Sequence, residues 1–172
     1  DAFFEEAARR DMCMIGGKVM MDRNAPDGLC DTPQSGYDDS KALIAKWHGA
    51  GRAQYAITPR FAITSTPEQL THLSENHDEI AYTASLYPKA RDYLDVYQTR
   101  GLIGPKTLLG HAIHLQPREI DALAETGAHP VFCPTSNLFL GSGLFDDAGL
   151  TARGINNAIA TDVGAGTSYS ML

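Results

Sequence analysis

Short apolar runs alternate along the chain with stretches whose apolar residues recur at helical spacing. Residues 2–10 carry the helical spacing, and 13–21 (CMIGGKVMM) reads as a buried strand with glycines at its middle. Residues 24–35 are rich in Pro, Gly and Asp and predict a loop. Residues 40–48 (SKALIAKWH) predict an amphipathic helix capped by Ser40 and stopped at Gly49 or Gly51. A strand is expected over 55–57, running into Thr58-Pro59-Arg60-Phe61 and breaking at the proline. Helices are expected over 78–86, 89–99 and 116–126, the last opened by Pro117 near its first turn. Residues 107–114 (TLLGHAIH), 128–133 and 157–161 supply further strands. Strands alternating with helices in this way predict an α/β architecture with a parallel sheet.

Each strand is followed at once by polar or proline-bearing residues: TPRF, HLSEN, HAIH, CPTSN and TDVGAG. A (β/α) barrel builds its active site in this manner, from groups just past the strand ends. A closed eight-stranded barrel takes roughly 250 residues. Here 172 residues offer about six strand candidates, so residues 1–172 are expected to form one domain, part of a (β/α)8 barrel. One connection is too short. Between the strand at 55–57 and the apparent strand end at Thr71 and His72 stands only TPRFAITSTPEQL. Parallel neighbours need a crossover of a dozen or more residues, usually with a complete helix. Thr66-Pro67-Glu68-Gln69-Leu70 starts like one and stops after barely a turn. Residues are therefore expected to be missing between Leu70 and Thr71.

Composition narrows the class. Apolar residues at 43% and charged residues at 20% exclude a disordered, collagen-like or coiled-coil chain. With a net charge of −7 and the basic residues scattered, a nucleic-acid polymer is not expected as a partner. No apolar run reaches the roughly 18 residues of a membrane helix, and the acidic, amphipathic start lacks the layout of a signal peptide. Cys13, Cys30 and Cys133, odd in number and widely spread, point to a reduced, cytoplasmic setting.

Among the six histidines, His48, His77 and His129 have no chemistry-bearing neighbours in sequence and read as surface or packing groups. His72 and His111 each end a strand candidate; Glu75 follows His72 by three residues, and Asp162 follows the last apolar strand. Two imidazoles and a carboxylate from different strand ends could converge on zinc or iron, which accept N/O ligands. A metal lowers the pKa of bound water towards about 7, and a carboxylate such as Glu75 could then carry a proton to a leaving group. By spacing alone, a satisfied core pair explains the histidines as well. His114 reads as a supporting or structural group. Cys133 fits a buried structural thiol better than a nucleophile, and the glycines of TDVGAGTS fit a tight turn better than a phosphate cradle. Arg60 beside Phe61 suits a flat heterocycle bearing a carbonyl, and equally a surface ion pair beside a core ring.

The motifs ITPRF, THLSEN with HDE behind it, GHAIHL, FCPTSN and TDVGAGTSYSML, in this order, resemble the guanine deaminase family of the amidohydrolase superfamily. MDRNAPDGL followed by SKALIAKWHG is similar to its bacterial members, so the resemblance runs from Gly17 or earlier to Leu172. HLSEN and TDV are shared across zinc deaminases, whereas TPRF with TDVGAGTSYSML is more specific. The resemblance implies a (β/α)8 barrel that hydrolyses guanine to xanthine and ammonia in purine metabolism, using one zinc, with iron as the alternative. It implies that His72 and Asp162 ligate the metal and that Asp162 also serves as base for the water. Glu75 would shuttle protons, His111 would hydrogen-bond the attacking oxygen, and Arg60 and Phe61 would hold the purine. Family members are commonly homodimers.

Two departures stand out. The family carries an HxH pair of ligands on its first strand, and no HxH occurs in these 172 residues. The small β domain formed by the two ends of such proteins is absent as well. The rival readings are a related deaminase or chlorohydrolase acting on another aminated heterocycle, and a non-catalytic barrel that keeps only the fold.

Overall fold

The structure, a computed structural model, describes residues 1–60, 62–65 and 72–171. It divides into two units, Asp1–Leu70 and Thr71–Leu172.

In the first unit, helix α1 (Ala2–Arg9) precedes β1 (Met14–Gly16) and β2 (Val19–Met20). Helix α2 (Pro33–Trp47) then leads to β3 (Ala53–Tyr55) and β4 (Thr58–Pro59). β1 pairs with β3 and β2 with β4, both parallel and with the same offset along the chain. They are one ladder interrupted at Gly17 and Lys18. Gly17 is required there, because a Cβ would collide with the Ala56 carbonyl oxygen. The freed Lys18 N–H donates instead to Tyr55 Oη at 3.0 Å. Phe4 stacks on Trp47 and Tyr55, and with Leu43 and Ala53 these rings form the core of the unit. Each such aromatic pair adds roughly 0.5–1.5 kcal/mol beyond burial.

α2 corrects the expectation of a loop over 24–35 and a cap at Ser40. Thr32 caps the helix through a reciprocal pair of hydrogen bonds with Ser35, and Pro33 opens it. Ser40 is buried in mid-helix, its hydroxyl 3.5 Å from Met20 Sδ.

The second unit is a four-stranded parallel sheet in sequential order: β5 (His72–Leu73), β6 (Leu108–His111), β7 (His129–Phe132) and β8 (Ala158–Ile159). Helices α3 (His77–Leu86) and α4 (Tyr93–Gln98) connect β5 to β6, α5 (Pro117–Thr126) connects β6 to β7, and α6 (Pro134–Leu140) and α7 (Asp147–Ala152) connect β7 to β8. Leu73, Leu109, Leu94, Val96, Tyr97 and Leu123 are fully buried and make its core. Counting each interrupted pair once, the eight short strands among the described residues fall on the six expected positions. α6 and α7 were not foreseen. α4 is shorter than the expected 89–99 because Asp92 caps it, accepting from Asp95 N at 2.9 Å. β6 stops at His111 rather than His114, since His111 and Ala112 turn to positive φ. The following Ile113 and His114 N–H groups both bond to Ser74 O at 3.2 Å. The expected break between Leu70 and Thr71 lies outside the described residues.

Candidate active site

β5, β6 and β8 present their C-terminal ends to one cluster. His72 lies in β5 and Glu75 in the loop after it, His111 closes β6, and Asp162 follows β8. Glu75 Oε2 stands 3.6 Å from His72 Nε2, and its Oε1 stands 3.8 Å from His111 Nδ1. The two imidazole rings are 4.4 Å apart, and Asp162 Oδ2 lies 4.0 Å from His111 Nε2. Ser74, His111, Ala112 and Asp162 all adopt positive φ. Non-glycine residues are held there only at a cost of roughly 1–3 kcal/mol each, and such strain gathers at functional sites.

Among the described residues, the ligand atoms of His72, Glu75 and His111 all lie within 4.8 Å of one another, while Asp162 approaches through His111. Imidazole nitrogens and carboxylate oxygens at this spacing form a donor set for a divalent metal such as zinc or iron. Burial, and next the neighbouring His72, push His111 below the usual histidine range, outweighing Glu75, Asp162 and Glu79.

Three side chains around the cluster went unnoticed in the sequence. Glu79, buried in the first turn of α3, sits 3.3 Å from His72 Nε2. It accepts from Tyr93 Oη at 2.5 Å and from Glu75 N at 2.9 Å. Burial pushes its carboxyl up, but the hydrogen bond and charge of His72, with the Tyr93 and Glu75 donors, outweigh burial and hold it below the ordinary range. Glu79 lies in the HDE stretch behind THLSEN, and Asn76 caps α3 by accepting from Glu79 N. Asn137 and Ser142, the other two, both donate to Glu75. Asn137 lies in the FCPTSN motif, so its signal was present.

Cys133 is buried, and burial pushes its thiol up to about 11, which leaves it inert. In TDVGAGTS, Ala165 and Gly166 N–H both bond back to Asp162 O, a tight turn. His48 Nδ1 accepts from Tyr55 N, and His129 bonds the carbonyls of Asn156 and Pro105. Arg60, in the first unit, is exposed past β4 with Nη1 3.5 Å from Met21 Sδ. Phe61 lies outside the described residues.

Residues 1–172 match the amidohydrolase family throughout. The chain belongs to that family. It is 50% identical to the guanine deaminase of Escherichia coli and 40% to a probable guanine deaminase of Deinococcus radiodurans, in both cases over all of this chain and 43% of the relative. It thus spans less than half the length of these curated relatives. The E. coli alignment runs over 188 residues, so that protein carries residues with no counterpart here. The solved E. coli guanine deaminase superposes with a TM-score of 0.96 over 99% of this chain and 44% of that one. A guanine deaminase from C. acetobutylicum with bound guanine superposes at 0.90, with 33% identity, over 96% of this chain and 43% of that one. The fold is therefore the (β/α)8 barrel of metal-dependent hydrolases, represented in part.

Proposed function

We propose that the protein carrying this chain hydrolyses guanine to xanthine and ammonia, with the strand-end cluster as its catalytic centre. What carries the reading is the convergence of His72, Glu75, His111 and Asp162, in a chain half identical throughout to a guanine deaminase. His72 and Asp162 would hold the metal, taken as zinc, which supplies a nucleophilic water at neutral pH. Asp162 would also serve as base for the water, and His111 would direct a ring N–H at the oxygen being added. Glu75 carries a proton to the exocyclic amine, which leaves as ammonia. From their place in the TPRF motif, Arg60 and Phe61 would hold the purine, a planar guanidinium fork being suited to a carbonyl edge.

The remaining metal ligands are expected in an HxH pair outside these residues. A missing segment between Leu70 and Thr71 is part of this proposal, and an alignment longer than this chain is what an internal segment would produce. A substrate panel on the full-length, metal-replete protein tests the function. Guanine is expected to be deaminated far faster than adenine, cytosine or an aminated triazine. Faster turnover of one of the others would reassign the substrate, and no turnover of any would leave a barrel that only keeps the fold.

A further inference from the structure

We propose that Asn137 and Ser142 are positioning residues that set the proton geometry of the cluster, Asn137 by fixing the tautomer of His111 and Ser142 by anchoring Glu75. The proposal rests on the catalytic reading of Glu75 and His111 given above.

Asn137 is fully buried on α6, far from Glu75 and His111 in sequence. Its Nδ2 stands 2.9 Å from His111 Nδ1 and 3.4 Å from Glu75 Oε1. An amide nitrogen has two hydrogens and can serve both. The opposite orientation of the amide would set its oxygen against the Glu75 carboxylate, two acceptors facing each other, so the nitrogen belongs on this side. Nδ1 of His111 must then accept, which leaves Nε2 as the ring nitrogen that carries the proton. That is the nitrogen 4.0 Å from Asp162 Oδ2. Asn137 thus aims the His111 N–H at the place where water is activated, and the same side chain steadies Glu75.

Ser142 completes the hold. Its hydroxyl donates to Glu75 Oε1 at 3.0 Å, the atom that also takes the Asn137 bond. Glu75 sits in a loop, so it needs anchoring from outside its own element. Ser142 is itself tied down, since His114 Nε2 donates to its carbonyl at 2.7 Å while the His114 ring lies 4.1 Å from that of His77. Gly143 permits that approach: it has φ of 139°, and a Cβ there would stand 2.9 Å from Ile113 Cγ2. Supporting partners of this kind are typically worth about 10–100-fold in activity.

The test uses the full-length, metal-replete protein. Asn137→Asp keeps size but presents only acceptors, so Nδ1 of His111 must become the donor. Nitrogen NMR of the imidazole should show the Nε2–H tautomer in the parent and Nδ1–H in the variant, with kcat for guanine down about 10–100-fold, KM little changed and metal content retained. Ser142→Ala should lower kcat similarly, and Ser142→Thr, which restores the hydroxyl, should recover most of it. The Nε2–H tautomer persisting in Asn137→Asp, or equal kcat in Ser142→Ala and Ser142→Thr, would overturn the proposal. If Asn137→Asp does not fold, the parent's tautomer and the Ser142 pair still decide. A parent that leaves guanine untouched defeats the functional reading instead, while the tautomer measurement continues to test the positioning of His111.

Discussion

Replacing Glu75 by glutamine separates proton transfer from metal binding. Glu75 Oε1 accepts from Ser142 and Asn137, and Oε2 faces His72 Nε2 at 3.6 Å. Glutamine has the same shape, and its amide oxygen can keep both donors while the amide nitrogen takes the place of Oε2. The two hydrogen bonds lose their charge assistance, at a cost of about 1 kcal/mol each. The fold should therefore survive, with a modest fall in melting temperature. What disappears is a carboxylate able to take up and release a proton. Such a group is worth roughly 10²–10⁴ in rate, or about 3–5 kcal/mol of barrier. The assay is ammonia and xanthine formation at saturating guanine by the full-length protein, beside elemental analysis of bound metal. The expected result is turnover down by that factor with parental metal content. Turnover equal to the parent's would mean that another group carries the proton, and loss of the metal would make Glu75 a ligand.

Two further outcomes are expected. Arg60→Ala should lower kcat/KM for guanine by one to two decades, the worth of a charge-assisted hydrogen bond of about 1.5–3 kcal/mol, and Arg60→Lys should recover little because a point charge cannot copy the fork. Parental activity in Arg60→Lys would demote Arg60 to a structural ion pair. Glu119, almost wholly buried, accepts from Gln116 N at 2.7 Å and Leu94 N at 2.9 Å, so Glu119→Ala should leave two buried N–H groups unpaired and cost about 2–6 kcal/mol in denaturant unfolding. Burial raises its carboxyl above the ordinary value, against those two donors, so the folded state holds a proton that the unfolded chain has released, and this contribution to stability falls as pH rises between the two values. A loss below 1 kcal/mol would show that water reaches those groups in the variant.

The strands were legible as short continuous apolar runs bounded by polar residues, as in TLLG and NAIA, although Leu108 and Ile159 are exposed. Their ends were legible because the chain turns polar there, which is how His72, Glu75, His111 and Asp162 could be picked out together. The start of α2 was not, since Pro33 and the Thr32–Ser35 pair sit in a stretch whose composition reads as loop, although proline at a first turn favours a helix. Glu79, Asn137 and Ser142 were missed for a different reason. Their roles arise from contacts between elements, with Ser142 and Glu75 67 residues apart in sequence; the motifs HDE and FCPTSN carry Glu79 and Asn137 but do not say which groups they meet.

The most direct test of the central claim is anomalous diffraction at the zinc edge from crystals of the full-length protein. The expected peak lies about 2.0–2.2 Å from a ring nitrogen of His72 and a carboxylate oxygen of Asp162, with His111 Nε2 hydrogen-bonded to the ligand water rather than to the ion. A zinc peak held by Glu75 or by His111 Nε2, or one remote from these strand ends, would contradict the account.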